Sequence, residues 1–274
     1  MQLPRENVHH VHLTEEKETL FITLYAKALD NRSKRPILGD KTADELVSSL
    51  AYDFHKLKDA GNDHLAVLRA KQFDDWVEEF LAKHHDATVL HLGCGLDTRV
   101  MRVNPPSEVK WYDLDYPEVI ALREQCFPKR DGYFQVASSV TDQAWLETIP
   151  SDHPVMIVAE GLLEYLTEQE VQTLLNRLTS HFRHGQIAFD VLNSFAIQLG
   201  KSKLQETTGA THTWAVDDTR IVEQLDPKLK KDAELSVTEV ASLKKLPWRS
   251  RIIYTGMRLI PPFRNMLRLL RYQF

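Results

Sequence analysis

Only two cysteines, Cys94 and Cys126, occur in 274 residues, and they form no CxxC pair. That excludes a disulfide framework and a thiolate zinc site, and makes a reducing cytoplasm the expected setting. No run of about 18 apolar residues is available to span a bilayer, and the first twenty residues lack the apolar stretch of a signal peptide. Positive charge is also short. With 34 Lys and Arg against 39 Asp and Glu, the formal net charge is −5, which argues against nucleic acid as a partner. Arg264, Arg268 and Arg271 do gather in "PPFRNMLRLLRYQF". They read as solvated arginines on a terminal helix and strand rather than as a phosphate or membrane patch. His9, His10 and His12 offer metal ligands, yet an unconstrained terminal segment rarely closes a site, so no metal is expected.

What is present is a globular composition, 43% hydrophobic and 27% charged, with a rhythm that changes near residue 86. Before that point the pattern is helical. "TEEKETLFITLYAKALD" sets Leu20, Leu24 and Leu29 with Phe21 and Tyr25 at helical spacing behind a capping Thr14, residues 41–51 form a short second helix, and 63–83 a longer one. From "ATVLHL" (87–92) onward, short β-branched runs alternate with helical ones: 108–115, 132–137, 154–160 and 185–192, with helices near 117–125, 142–148 and 167–182. Thr167 and Glu170 make a capping box at the start of the last of these helices. Such alternation predicts an α/β fold with a doubly wound, mostly parallel sheet. The division expected is an N-terminal helical cap over 1–85, an α/β core over 86–192, an irregular cap insertion over 193–247 with a helix near 217–225, and a C-terminal helix and strand over 248–274 that complete the core.

Of only ten glycines in the chain, two stand in "HLGCGLDTR" directly after the first predicted strand. Side chains there would block a ligand. The third glycine of a dinucleotide fingerprint is missing, with Thr98 in its place, which argues against a pyrophosphate and a nicotinamide oxidoreductase. No Walker lysine follows, so a nucleoside triphosphatase is not indicated. Asp115 ends the second strand in "DLD", about 20 residues after Gly93, where an acid meets ribose hydroxyls in such sheets; the competing role is a cap before Pro117. A ribose acid without phosphate-binding machinery suits S-adenosylmethionine.

"HLGCGLDTR", "WYDLDYPEVIALR", "ASSVTDQAWL" and "AEGLLEYLTEQEV" together resemble the leucine carboxyl methyltransferase family, in particular its bacterial branch of polyketide-type O-methyltransferases. The likeness runs over roughly residues 15–225. It implies a class I, Rossmann-like methyltransferase core using S-adenosylmethionine. Carried over by position, Arg69 resembles the arginine that pairs with the cofactor carboxylate. Gly93 and Gly95 pass under the methionine moiety with Asp97 beside it, Asp115 grips the ribose, Ser139 and Val140 fall at the adenine, although "SVTD" could equally cap the next helix, and Glu160 faces the ammonium end. Arg99 is left open between anchoring the loop through a carboxylate and touching ligand. Glu164 departs from the family, which places a hydrophobic residue, often methionine, at that position of "GLLxYL".

Methyl transfer from a sulfonium is an in-line displacement on an activated carbon, so the protein supplies mainly alignment and exclusion of water. A carboxylate acceptor needs no base, whereas a hydroxyl benefits from one. Tyr165 and His212 are the candidate catalytic or acceptor-positioning residues; Tyr25 and Trp214 are further candidates for the acceptor pocket, with the protein core as their competing place. The function expected is an O-methyltransferase acting on a carboxylate or hydroxyl of a small molecule. The alternatives are a carboxyl methyltransferase acting on a protein C-terminus and a catalytically silent cofactor-binding protein.

Overall fold

The computed structural model describes residues 9–10, 15–57 and 63–274; His12 and the expected cap Thr14 lie outside them. Three helices lead: α1 (Leu20–Asn31), α2 (Lys41–Ser49) and α3 (Asp63–Leu81), with a 3-10 turn at Glu15–Thr19 before the first. Helix α1 buries Leu20, Phe21, Leu24 and Ala28 on one face, and α2 starts at Asp40, whose carboxylate accepts the Ala43 N–H at 2.9 Å. Residues 9–10 form a short parallel ladder with 50–51.

Seven strands build the sheet: β1 (Thr88–Leu92), β2 (Lys110–Asp115), β3 (Tyr133–Ala137), β4 (Val155–Ala159), β5 (Gly185–Leu192), β6 (Lys230–Ser236) and β7 (Leu267–Gln273). Their spatial order is β3-β2-β1-β4-β5-β7-β6. Strands β1 to β5 are mutually parallel, with Leu92 opposite Leu114 and His91 opposite Val158, while β7 runs antiparallel to both β5 and β6. Every residue of β1 and β4 is buried, as expected for central strands covered on two faces. Alternate side chains enter opposite cores: Val89, Met156 and Val158 join the N-terminal helices, and Leu90, Leu92 and Ile157 join the opposite layer.

Short helices α4 (Arg99–Val103), α5 (Pro117–Cys126) and α6 (Ala144–Glu147) follow the first three strands. Helix α7 (Glu168–His181) opens with the expected capping box of Thr167 and Glu170. Beyond β5 lie α8 (Ser194–Thr208) and α9 (Ile221–Leu225), then α10 (Trp248–Met257) and α11 (Pro261–Arg264) ahead of the last strand. No described helix is long and apolar enough to cross a membrane, and the described residues hold no group of three metal-ligating side chains.

The segment 193–247 departs from its reading as an irregular insertion. It contains a fifteen-residue helix, α8, capped by the Asn193 side chain on Ala196 N–H and stopped by Gly209 at φ +80°. It also contains β6 at the sheet edge. The charged sequence "KKDAELS" hid this strand, because an edge strand alternates between solvent and core. The C-terminal arginines are not all solvated: Arg268 is buried on β7 and donates to the Val216 carbonyl, and Arg271 pairs with Asp232 and Glu79.

Candidate active site

One cavity of about 790 Å³ opens where the carboxyl ends of β1 to β5 meet the N-terminal helices. Its wall takes residues in the order of the strands: Ser139 and Val140 beyond β3, Asp115 on β2, Gly93, Gly95 and Asp97 beyond β1, Glu160 and Tyr165 beyond β4, with Arg69 from α3 and His212 from the segment after α8. Five strands at about 4.8 Å make the crevice about 20 Å across. The eight residues assigned to the cofactor from the sequence and the two catalytic candidates, Tyr165 and His212, thus share one cavity.

The glycine loop is bare for two reasons. Both glycines have left-handed backbone, φ +59° at Gly93 and +50° at Gly95, a conformation costly for other residues. A Cβ on Gly93 would also lie 2.8 Å from Leu162 Cδ1, and one on Gly95 would lie 3.1 Å from Leu20 Cβ. Gly93→Ala is therefore expected to cost about 1–3 kcal/mol through backbone strain and to weaken ligand binding, as checked by thermal unfolding with and without cofactor. Asp115 pins the turn, its Oδ2 accepting the Gly95 N–H and its Oδ1 the Tyr116 N–H, each at 2.7 Å. Burial pushes its carboxyl pKa up against the pull of those two N–H groups. Arg123 braces the loop from behind, donating to the carbonyls of Gly95 at 2.7 Å and Asp97 at 2.9 Å.

Beneath the loop lies a buried charge cluster. Lys27 donates to Asp97 Oδ2 at 2.8 Å and Arg102 to Asp97 Oδ1 at 2.8 Å. Arg102 also reaches Asp40 and Asp74. Arg99, fully buried, donates to Asp74 at 2.7 Å, to Glu160 and to His91 Nε2. The arginine thus anchors the site and is absent from the cavity wall. Arg69 spans Glu160 at 3.1 Å and Asp190 at 2.7 Å. Burial alone would raise the Glu160 pKa, but Lys27, Arg69 and Arg99 hold it down at about 2. Asp97 is likewise held well below the carboxylate range, with Arg102, Lys27 and Arg99 overriding burial.

Toward β5 the wall changes character. Leu192, Ala196, Leu204, Met266 and Leu267 make it largely apolar, with Lys203 of α8 also on the wall, and the rings of Tyr165 and His212 sit 5.0 Å apart. Burial and the nearby Arg69 charge lower the His212 pKa, so its imidazole is neutral. Burial and the neighbouring Glu164 raise the Tyr165 phenol. Glu164 also lines the cavity. Tyr25 and Trp214 do not. Tyr25 packs against Phe54, and Trp214 fills the core with its Nε1 directed to Glu168.

A leucine carboxyl methyltransferase family model matches residues 20–179. The chain belongs to the leucine carboxyl methyltransferase family. It is an S-adenosylmethionine-dependent O-methyltransferase. Among its relatives is the tetracenomycin polyketide synthesis O-methyltransferase TcmP of Streptomyces glaucescens, 41% identical over 266 residues that cover 96% of this chain and 98% of that one. Another is the S-adenosyl-L-methionine-dependent methyltransferase dpfgK of Gibberella zeae, 37% identical with 80% and 82% covered. In solved structures the fold recurs in a DUF574 family protein of Streptomyces avermitilis, at a TM-score of 0.62 with 10% identity and 95% and 97% covered. It recurs again in the N-methyltransferase NodS of Bradyrhizobium japonicum WM9 in complex with S-adenosyl-L-homocysteine, at 0.50 with 14% identity and 85% and 98% covered.

The sequence reading of this methyltransferase missed Lys27, Asp190 and the Asp74 and Arg102 pair. Lys27 sits on the apolar face of α1 at 1% exposure, and a lysine interrupting a buried stripe was the available signal. Asp190, inside the apolar strand β5, gave the same kind of signal; its Oδ1 accepts the Gly161 N–H at 2.7 Å.

Proposed function

We propose that the acceptor of this O-methyltransferase is a small, largely apolar ring molecule of the polyketide kind. The observation that carries this reading is the change of chemistry along one continuous crevice, ionic beside the glycine loop and apolar with two aromatic rings beside α8. The name of the Streptomyces relative points the same way.

The ionic half fits the cofactor. Lys27, Arg69, Arg99 and Arg102 face Asp40, Asp74, Asp97, Glu160 and Asp190, so the cluster offers both carboxylates and cations to a ligand that carries a sulfonium, an ammonium and a carboxylate. With Nε and Nη1 of Arg69 committed to Glu160 and Asp190, its Nη2 is the donor for the cofactor carboxylate. Asp97 and Glu160 lie toward the ammonium end, Gly93 and Gly95 give backbone contact along the methionine chain, Asp115 takes the ribose, and Ser139 with Val140 borders the adenine. When bound, the cofactor supplies a methyl group on a sulfonium. The protein's residues align that group and exclude water; Tyr165 and neutral His212 position the acceptor from the apolar half.

In this scheme residues 1–85 cap the cofactor half, 86–192 carry it, and the stretch after β5 walls the acceptor half. The buried free thiols of Cys94 and Cys126 suit a reducing cytoplasm, and the net charge of −5 suits a small-molecule partner rather than nucleic acid. Calorimetry with S-adenosylmethionine, followed by transfer of labelled methyl to a panel of aromatic hydroxy acids, tests the reading. Saturable binding with transfer is expected; no binding, or transfer only to peptide C-termini, overturns it.

A further inference from the structure

Glu164 departs from the family pattern in "GLLxYL", and the structure puts it on the wall of the cavity. Its side chain is only 5% exposed, and its Oε2 is shielded from solvent without a hydrogen-bond partner among the described residues. A buried unsatisfied carboxyl oxygen is costly. Its backbone carbonyl is fixed by the N–H of Thr213 at 2.7 Å and of Trp214 at 3.3 Å, so the turn that carries it is tied to the acceptor-side segment.

We propose that Glu164 meets the reacting oxygen of the acceptor and takes its hydroxyl proton during methyl transfer, which makes the acceptor a phenol or enol rather than a carboxylic acid. This assignment rests on the O-methyltransferase reading above. The acceptor O–H bond breaks with its proton passing to the Glu164 carboxylate, an O–CH₃ bond forms, and the S–CH₃ bond breaks with its electron pair left on sulfur. The proton then leaves to solvent.

The groups around Glu164 favour this choice. Glu160 beyond β4 and Asp190 on β5 place two further carboxyls nearby, and Arg69 on α3, the neighbouring cation, is already bonded to both. Tyr165 on the same turn and His212 opposite are uncharged. Lys203 of α8 is a further cation on the cavity wall, but the three carboxyls gathered at Glu164 disfavour a carboxylate acceptor beside it and suit a hydroxyl that donates to the Glu164 carboxyl group. Burial first, and then Asp190, raise the Glu164 carboxyl to about 8, close to neutrality, where a general base works best.

The test uses the full-length enzyme, methyl-labelled S-adenosylmethionine, and two probes that carry a phenol and a carboxylic acid on adjacent ring carbons: 3-hydroxy-2-naphthoic acid and 1-hydroxyanthraquinone-2-carboxylic acid. Mild alkali cleaves a methyl ester but not an aryl ether. The expected product is the ether, with kcat rising as pH approaches about 8. Glu164→Gln keeps the side chain's size but cannot take a proton. It should lower kcat by about 100-fold or more, shift KM by less than about 3-fold, abolish the rise with pH, and leave cofactor affinity by calorimetry unchanged. Ester product, no transfer to either probe by cofactor-bound enzyme, or a Gln variant that retains the pH limb and kcat within about 3-fold would each overturn the assignment. If the wild-type protein fails to bind cofactor, the methyltransferase reading falls and this assignment with it.

Discussion

Asp115→Ala is expected to weaken S-adenosylmethionine binding by about 100-fold or more while the protein stays folded. The carboxylate does two things at once. It holds the glycine loop through the N–H groups of Gly95 and Tyr116, and it stands on the cavity wall at the end of β2, where the proposed function assigns it to the ribose. Hydrogen bonds to a charged acceptor contribute about 1.5–3 kcal/mol each, and about 2.7 kcal/mol corresponds to a hundredfold in affinity. The fold does not hinge on this residue, because the strand registers and both cores lie below it. Calorimetry beside thermal unfolding separates the two effects. Affinity within about 3-fold of wild type would show that the ribose lies elsewhere, and Asp115→Asn, which keeps one acceptor oxygen, should fall between.

The largest loss of stability is expected from Arg99→Met. The guanidinium is entirely buried and bonded to Asp74, Glu160 and His91. Removing it leaves Asp74 with Arg102 alone and Glu160 with Arg69 alone, two buried carboxylates each short of a cation, and breaking a buried pair typically costs about 3–5 kcal/mol. The pH dependence should change as well. Asp97 and Glu160 are held below their ordinary range in the folded state, Glu160 at about 2. Their contribution is therefore present above the unfolded carboxylate pKa of about 4 and drains away as pH falls toward about 2. Without Arg99 the folded carboxylates titrate higher, so acid unfolding should begin at a higher pH. Denaturant unfolding followed across pH 3 to 7 checks both statements; a variant within about 1 kcal/mol of wild type would contradict them.

The sheet was legible because its central strands are continuous apolar runs between helix signals, as in "ATVLHL" and "PVMIVAE", which no solvent-facing element would carry. The edge was not. Strand β6 alternates charged and apolar residues weakly and pairs only with β7, so its identity depends on a partner that follows 31 residues after Ser236. Helix α8 was hidden for a related reason: buried residues within it are few, since its inner face lines a cavity rather than a core. In the site, residues on loops after strands were readable from spacing, as with Gly93 and Asp115. The cations were harder to place. Lys27 and Arg102 acquire their role from carboxylates as many as 70 residues distant, and a pairwise charge match at that separation leaves no local pattern.

The crevice is closed on its outer side by α1 and the turn before it, from Lys17 to Lys27, with Leu20 resting against the glycine loop. That wall belongs to the N-terminal arm and not to the sheet, and it is tied to the core by Lys17 on Glu118 and Lys27 on Asp97, so the shape of the donor end depends on how firmly a helix from outside the Rossmann-like layer is moored to it.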